Sequence, residues 1–293
     1  MQFQIISDSA CDLDKNFIHE NNLEVVPFYV SFDGEQYYKE GIEINHEEFY
    51  DKMMDEHIYP KTSLPSIEDY MNVFKKYCDQ DIPVICICTT SKLSGSYQSA
   101  LSAKDIIAET NPDSKITVID SNVITVLQGM LVKEAIRMQK NGVSYEDCIH
   151  NIDRIKTSGR IIFTIEDMDY LKKGGRIGKL LTIASDTLKI RPLIILKEGE
   201  IFPAGISRSR KKAKIKLLEL AKDFFSKNNE NIDDYEIAVG TSIDYEEAEE
   251  FKQELAVALN KENIPVGHIG MIIGSHTGPH PIGLGLIKKY DAL

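Results

Sequence analysis

The sequence predicts an α/β protein of two domains: an N-terminal, mainly parallel sheet flanked by helices, then a second α/β domain. Three observations predict this. Strand-like and helix-like segments alternate through the first half, a pattern that builds a parallel sheet covered by helices. After Ser158-Gly159 the pattern changes to strands joined by a hairpin signal and separated by long helices, so the expected domains are residues 1–158 and 159–293. The length, 293 residues, is enough for two domains or one large one.

Each element follows from local chemistry. "QFQIISDS" reads as the first strand and "DLDKNFIHE" as a short helix. "LEVVPFYVSF" reads as a second strand, and Asp33-Gly34 signals a hairpin before "EQYYKE". Asn45 with Glu48 caps the helix "HEEFYDKMMDE", and Ser66 with Asp69 caps a helix running to Tyr77. The apolar run "DIPVICICT" is a buried strand that hands over to a helix near Ser94. "KITVIDS" is a strand, "VITVLQGMLVKEAIRMQK" a helix, and Ser144 with Asp147 opens another. In the second half "RIIFTI", "KIRPLIIL", "EIFPAGIS", "YEIAVGTS" and "VGHIGMIIG" read as strands, with Glu198-Gly199 as a hairpin. "EDMDYLKKGG", "RSRKKAKIKLLELAKDFFSK" and "DYEEAEEFKQELAVALNKE" read as helices.

Composition narrows the function. A formal charge of −12 argues against a protein whose main task is gripping nucleic acid. There is no apolar run long enough to span a bilayer and no signal-peptide pattern at the start, which points to a cytoplasmic location. Five cysteines, an odd number in a long chain, read as buried thiols rather than a disulfide framework.

The segment "TTSKLSGSYQSA", residues 89–100, places six hydroxyl residues where a strand gives way to a helix. Helix capping accounts for them, and so does an anion held by free N–H groups. Thr62 and Ser63 precede a second predicted helix. If both loops lie at one end of the parallel sheet, outside the carboxyl ends of its strands, they form a carboxylate or phosphate site together with Ser94 and Gly95. "KKGGRIGK", residues 172–179, fails as a nucleotide loop, because Lys173 stands where the first glycine belongs and Leu180 where Ser or Thr belongs. It reads instead as a glycine turn with basic surface. The basic run from Arg208 to Lys216 is either solvated helix surface or a face for an anionic partner or membrane headgroups. His276 and His280 have metal-like spacing only on a helix, which Pro279 and Pro281 disfavour, so no metal site is expected and His276 is read in a Gly-rich loop after a strand.

These segments, taken in order, resemble the DegV family of bacterial fatty-acid-binding proteins. The matching pieces are "SDSACDL", "KTSLPS", "TTSKLSGSYQSA", "YLKKGGRIGK", "IRPLI" and "IGSHTGPHPIGLGL", spread over nearly the whole chain. The resemblance implies a protein holding one long-chain fatty acid between its domains. Its carboxylate would rest on Thr62 and Ser94, with Ser63 and Gly95 as neighbours and His276 in support. Lys173 and Arg176 would dock a partner. That partner would be a separate ATP-using fatty acid kinase, whose acyl phosphate product feeds phospholipid synthesis. The chain itself would carry no cofactor and perform no catalysis. A transient contact with a membrane surface is a further expectation. Two positions depart from the family pattern: Leu64, where Gln is frequent, and His280, where a small residue is more usual. The alternative reading is an enzyme acting on a small phosphorylated or carboxylated metabolite in the same cleft.

Overall fold

The computed structural model describes residues 3–166, 168–182 and 190–293. Gln2 and Lys189 of two expected strands, and Asp167 of an expected helix, lie outside the described residues. The first half runs β1 (Gln4–Asp8), α1 (Lys15–Glu20), β2 (Glu24–Val26), β3 (Tyr29–Ser31), β4 (Tyr38–Lys39), α2 (His46–Asp55), β5 (Lys61–Ser63), α3 (Ile67–Cys78), β6 (Val84–Cys88), α4 (Ser96–Thr110), β7 (Ile116–Asp120), α5 (Thr125–Lys140) and α6 (Tyr145–Ile155). The second runs β8 (Arg160–Thr164), α7 (Asp169–Lys173), β9 (Arg191–Lys197), β10 (Glu200–Ser207), α8 (Arg210–Asn228), β11 (Tyr235–Thr241), α9 (Tyr245–Leu259), β12 (Val266–His268), α10 (Met271–Thr277) and β13 (Ile282–Lys288).

The fold is mixed α/β, as the alternation predicts. A four-stranded sheet in the order β2-β1-β6-β7 is parallel throughout. Its central strands, "QIISD" and "VICIC", are buried at every position. Continuous apolar character is what a strand covered by helices on both faces requires. A six-stranded sheet, β10-β9-β8-β13-β11-β12, is built from residues after Ser158 and is antiparallel except between β11 and β12. Glu198 and Gly199 both take positive φ (53° and 81°), the geometry of a two-residue hairpin turn. The expected caps form: the Asn45 and Ser144 side chains accept from Glu48 and Asp147, and Ser66 with Asp69 closes a reciprocal capping box.

Two strands expected to be continuous are not. "LEVVPFYVSF" breaks at Pro27-Phe28. β2 joins the parallel sheet, while β3 joins a small antiparallel sheet, β4-β3-β5. Proline supplies no N–H to a ladder, so the chain changes sheet there. "VGHIGMIIG" supplies only the three residues of β12. After Gly270 it turns into α10, because the Glu40 carboxylate accepts the N–H groups of Met271 and Ile272 and starts a helix. His276 therefore sits on a helix, not in a Gly-rich loop. That helix ends at Gly278 (φ 80°), ahead of Pro279, so His280 lies outside it.

Helix α5 lies between the two larger sheets. Leu127, Leu131 and Ala135 share one apolar cluster with Ile5 and Ile87 of the parallel sheet and with Phe163 and Ile194 of the six-stranded sheet. The halves are thus joined through a common core. All five cysteines are free and buried. Part of the basic run is internal: Arg210 pairs with Asp244 and Glu247, and Lys214 pairs with Glu247, tying α8 to α9. No helix among the described residues is long and apolar enough to cross a membrane.

Candidate functional site

Thr62, Ser94 and His276 come from three distant stretches and meet at one cavity of about 60 Å³, which Thr89, Leu93, Phe163 and Arg176 also line. Thr62 is not at a helix N-terminus as expected. It lies on β5, paired with Val30 of β3, and that strand aims it inward. Side chains alternate along a strand, so Ser63 points the other way and is exposed. Ser94 stands just before α4. Its Oγ accepts from the Ser96 N–H at 3.2 Å, which leaves its own proton to donate. Gly95 is the α4 N-cap; it is exposed and does not line the cavity. Leu64 lies beside it, since a Cβ on Gly95 would meet the Leu64 side chain at 3.0 Å.

His276 Nε2 lies 3.1 Å from Thr62 Oγ1. Burial, with the Arg176 charge adding to it, lowers the imidazole to about 4, so it is neutral at physiological pH. Its Nδ1 is buried without a hydrogen-bond partner. A bare lone pair is cheaper to bury than a bare N–H, which puts the proton on Nε2. Nε2–H then donates to Thr62, and the Thr62 hydroxyl is free to donate onward. The site therefore presents two hydroxyl donors to one cavity, suited to an oxygen anion, with a neutral imidazole fixing one of them.

The basic turn borders this site. The Arg176 guanidinium donates to the Leu93 and Gly174 carbonyls, so it clamps the Ser94 loop to the turn and lines the cavity besides being exposed. Lys173 is exposed, with its ammonium 3.5 Å above the Tyr59 ring, and does not line the cavity. His280 faces elsewhere. Its Nδ1 is 3.1 Å from Asp244, a bond that raises its pKa, so this departure from the family pattern leaves the His276 site untouched.

Ile124, Phe163, Ile273 and Thr277 line both this cavity and a second one of about 40 Å³, whose walls are almost wholly carbon. The second cavity lies between α5 and the six-stranded sheet. It exists because the sheet lacks side chains there: Gly240 of β11 pairs with Gly283 of β13, and Gly285 follows two residues on along the same face. A Cβ on Gly285 would sit 3.5 Å from Leu127 of α5. The sequence reading missed these apolar positions. The Gly-x-Gly spacing in "IGLGL" is their one visible trace, and it acquires meaning only with the register.

Comparison with known proteins shows the family and the fold. The family model described as "Uncharacterised protein, DegV family" matches residues 2–289. The chain belongs to the DegV family. A DegV domain-containing protein of Caldanaerobacter subterraneus is 33% identical over 289 residues, covering 97% of this chain and 98% of that one. Among solved structures, a stearic acid-binding protein from Eubacterium ventriosum is 43% identical, with a TM-score of 0.95 and coverage of 99% of this chain and 100% of that one. A DegV family protein from Thermus thermophilus, described for its fatty acid binding, is 29% identical, with a TM-score of 0.88 and coverage of 98% and 100%.

Proposed function

We propose that this protein binds one long-chain fatty acid between its two halves and presents the carboxylate to an ATP-dependent fatty acid kinase. The observation that carries this reading is a hydroxyl-lined cavity that shares four lining residues with a carbon-walled one. That is the shape of an amphiphile: an acid head on Thr62 and Ser94, with His276 behind them, and a tail running beneath α5. Fatty acid binding in the structures from Eubacterium ventriosum and Thermus thermophilus supports it.

The two ends do different work. Burying ~14 methylenes at roughly 0.8 kcal/mol each offers about 11 kcal/mol gross, before the entropic cost of association. A charge-assisted hydrogen bond adds about 1.5–3 kcal/mol. The tail supplies most of the affinity, and the hydroxyls decide where the carboxylate stops. His276, neutral and with its Nε2–H donated to Thr62, orients that hydroxyl and does not take its proton. The kinase reading is supported by the failed nucleotide loop and by exposed Lys173 and Arg176 beside the carboxylate end. A transient membrane contact is supported by exposed Ile206 and Ile215 next to exposed Arg208, Lys211 and Lys212. The acyl phosphate made by the kinase would supply phospholipid synthesis.

The test is Thr62→Val combined with Ser94→Ala. Palmitate binding should weaken yet stay measurable, and phosphorylation of the bound acid by the kinase should fall much further, because transfer needs the carboxylate within reacting distance. Unchanged affinity and unchanged phosphorylation would refute the head-group assignment. An enzyme acting on a small metabolite in the same cleft would instead retain no acyl chain.

A further inference from the structure

The turn that follows β1, Asp8 to Asp12, belongs to the "SDSACDL" motif, and the head-group reading leaves it without a role. Asp8 is buried and Ser9 partly so, and the hydrogen bonds of these two side chains reach the walls of the site. Asp8, fully buried, accepts on one oxygen from the Thr89 N–H and the Ser96 hydroxyl, both at 2.8 Å. These two bonds bracket the loop that carries Ser94. Its other oxygen accepts from Gln128 of α5 at 2.8 Å. Ser9 accepts the Phe28 N–H at 2.9 Å and donates to Glu40 at 2.5 Å. Glu40 in turn accepts the N–H groups of Met271 and Ile272, the first of α10, which carries His276.

Simple core polarity does not account for this pattern. Burial raises Asp8 to about 6 and Glu40 to about 7, so both carboxylates are held in an environment that disfavours their charge. Their bonds run to the first residue of the Ser94 loop, to its last, and to the start of the His276 helix, segments that are far apart in the chain. Thr89, Phe28 and Ile272, whose N–H groups these side chains hold, themselves line the head-group cavity.

We propose that Asp8 and Glu40 are positioning residues for the carboxylate site, Asp8 acting through the 89–96 loop on Ser94 and Glu40 through α10 on His276. The proposal rests on the fatty acid reading above and deepens it. Neither residue touches the ligand. Each fixes a wall, and Ser9, next to Asp8 in the chain, donates to Glu40.

The experiment measures affinities of the delipidated full-length protein for palmitate and for hexadecanol, which has the same chain length and no carboxylate. Their ratio reports the head group alone. Asp8→Ala should cut the palmitate preference about tenfold, the scale of one charge-assisted hydrogen bond to the carboxylate, with little change for hexadecanol. Asp8→Asn keeps an acceptor facing the loop and should restore most of the preference. Asp8→Ala added to Ser94→Ala should cause no further drop, since a residue acting through Ser94 has nothing left to act on. Glu40→Ala and Glu40→Gln should behave in the same way against His276→Ala. Ser96→Ala removes one of the two Asp8 bonds to the Ser94 loop and should lower the preference about threefold, a variant that serves if Asp8→Ala does not fold. Equal losses for palmitate and hexadecanol, or additive losses in the double variants, would overturn the proposal. A wild-type protein with no preference for palmitate would overturn the head-group reading itself, and this proposal with it.

Discussion

Gly174→Ala should disable the carboxylate site without replacing any residue proposed to bind the acid. Gly174 has φ −76° and ψ −6°, which alanine adopts freely. The obstacle is His276: an added Cβ would lie 2.1 Å from its Nδ1 and 2.8 Å from its Cε1. Ordinary contact begins near 3.4 Å, so the ring must retreat by more than about 1 Å. Nε2 now sits 3.1 Å from Thr62 Oγ1, and a hydrogen bond stretched past about 3.5 Å is no longer one. The lost bond is worth about 1 kcal/mol, and a misdirected Thr62 donor forfeits up to about 3 kcal/mol toward a carboxylate. Palmitate affinity, measured by titration calorimetry on delipidated protein, should fall about tenfold or more, with hexadecanol affinity nearly unchanged. The neighbouring glycine is the control. Gly175 has open space but φ +69°, so Gly175→Ala should lose about 1 kcal/mol of stability and leave palmitate binding intact. Wild-type palmitate affinity in Gly174→Ala would mean that the His276 ring does not hold Thr62 as described.

Three further outcomes follow from the same geometry. The unfolded chain protonates His276 near its ordinary 6.5 and the folded protein only near 4, so stability is lost as pH falls through that window, by about 2 kcal/mol at pH 5; His276→Asn should shrink the difference in unfolding free energy between pH 7 and pH 5, read from denaturant titrations, by that amount, and an unchanged difference contradicts a buried neutral imidazole. Gly285→Ala places one methyl group into the tail cavity, in ordinary contact with Leu127, and should weaken stearate by about 1 kcal/mol while sparing a C12 acid, as read by competition binding; equal losses for both would place the tail elsewhere. Lys173→Glu should slow phosphorylation by the kinase with palmitate affinity unchanged, whereas Arg176→Glu, which also lines the cavity, should lower both; a loss of affinity in Lys173→Glu would move that residue into the ligand site.

Much of the fold was legible because it rests on local chemistry. Capping pairs such as Ser66 and Asp69 announce helix starts, and "VICIC" announces a strand covered on both faces. The misreadings came where a distant partner decided the outcome. "GMIIG" has no helical signature of its own; the Glu40 carboxylate, far back in the chain, starts α10. Thr62 looked like a loop residue before a helix because its strand partner, Val30, lies beyond a proline that moves the chain between sheets. For the site, the hydroxyl-rich loop was compatible with an anion as well as with capping, and the ordered motifs named Thr62, Ser94 and His276. The tail cavity stayed hidden, because three glycines make a smooth wall only once β11 and β13 are in register. Asp8 and Glu40 were hidden for the same reason: a buried carboxylate shows its role only when its partners are known.

The central claim is that one acyl chain lies between the two halves. Organic extraction of the freshly purified protein, with mass spectrometry of the extract and of the intact native protein, tests it most directly. The account predicts a single C16–C18 fatty acid per chain, seen as a mass increment on the native protein and recovered as a free acid. A protein that carries no acyl chain and takes up none when offered palmitate would contradict it.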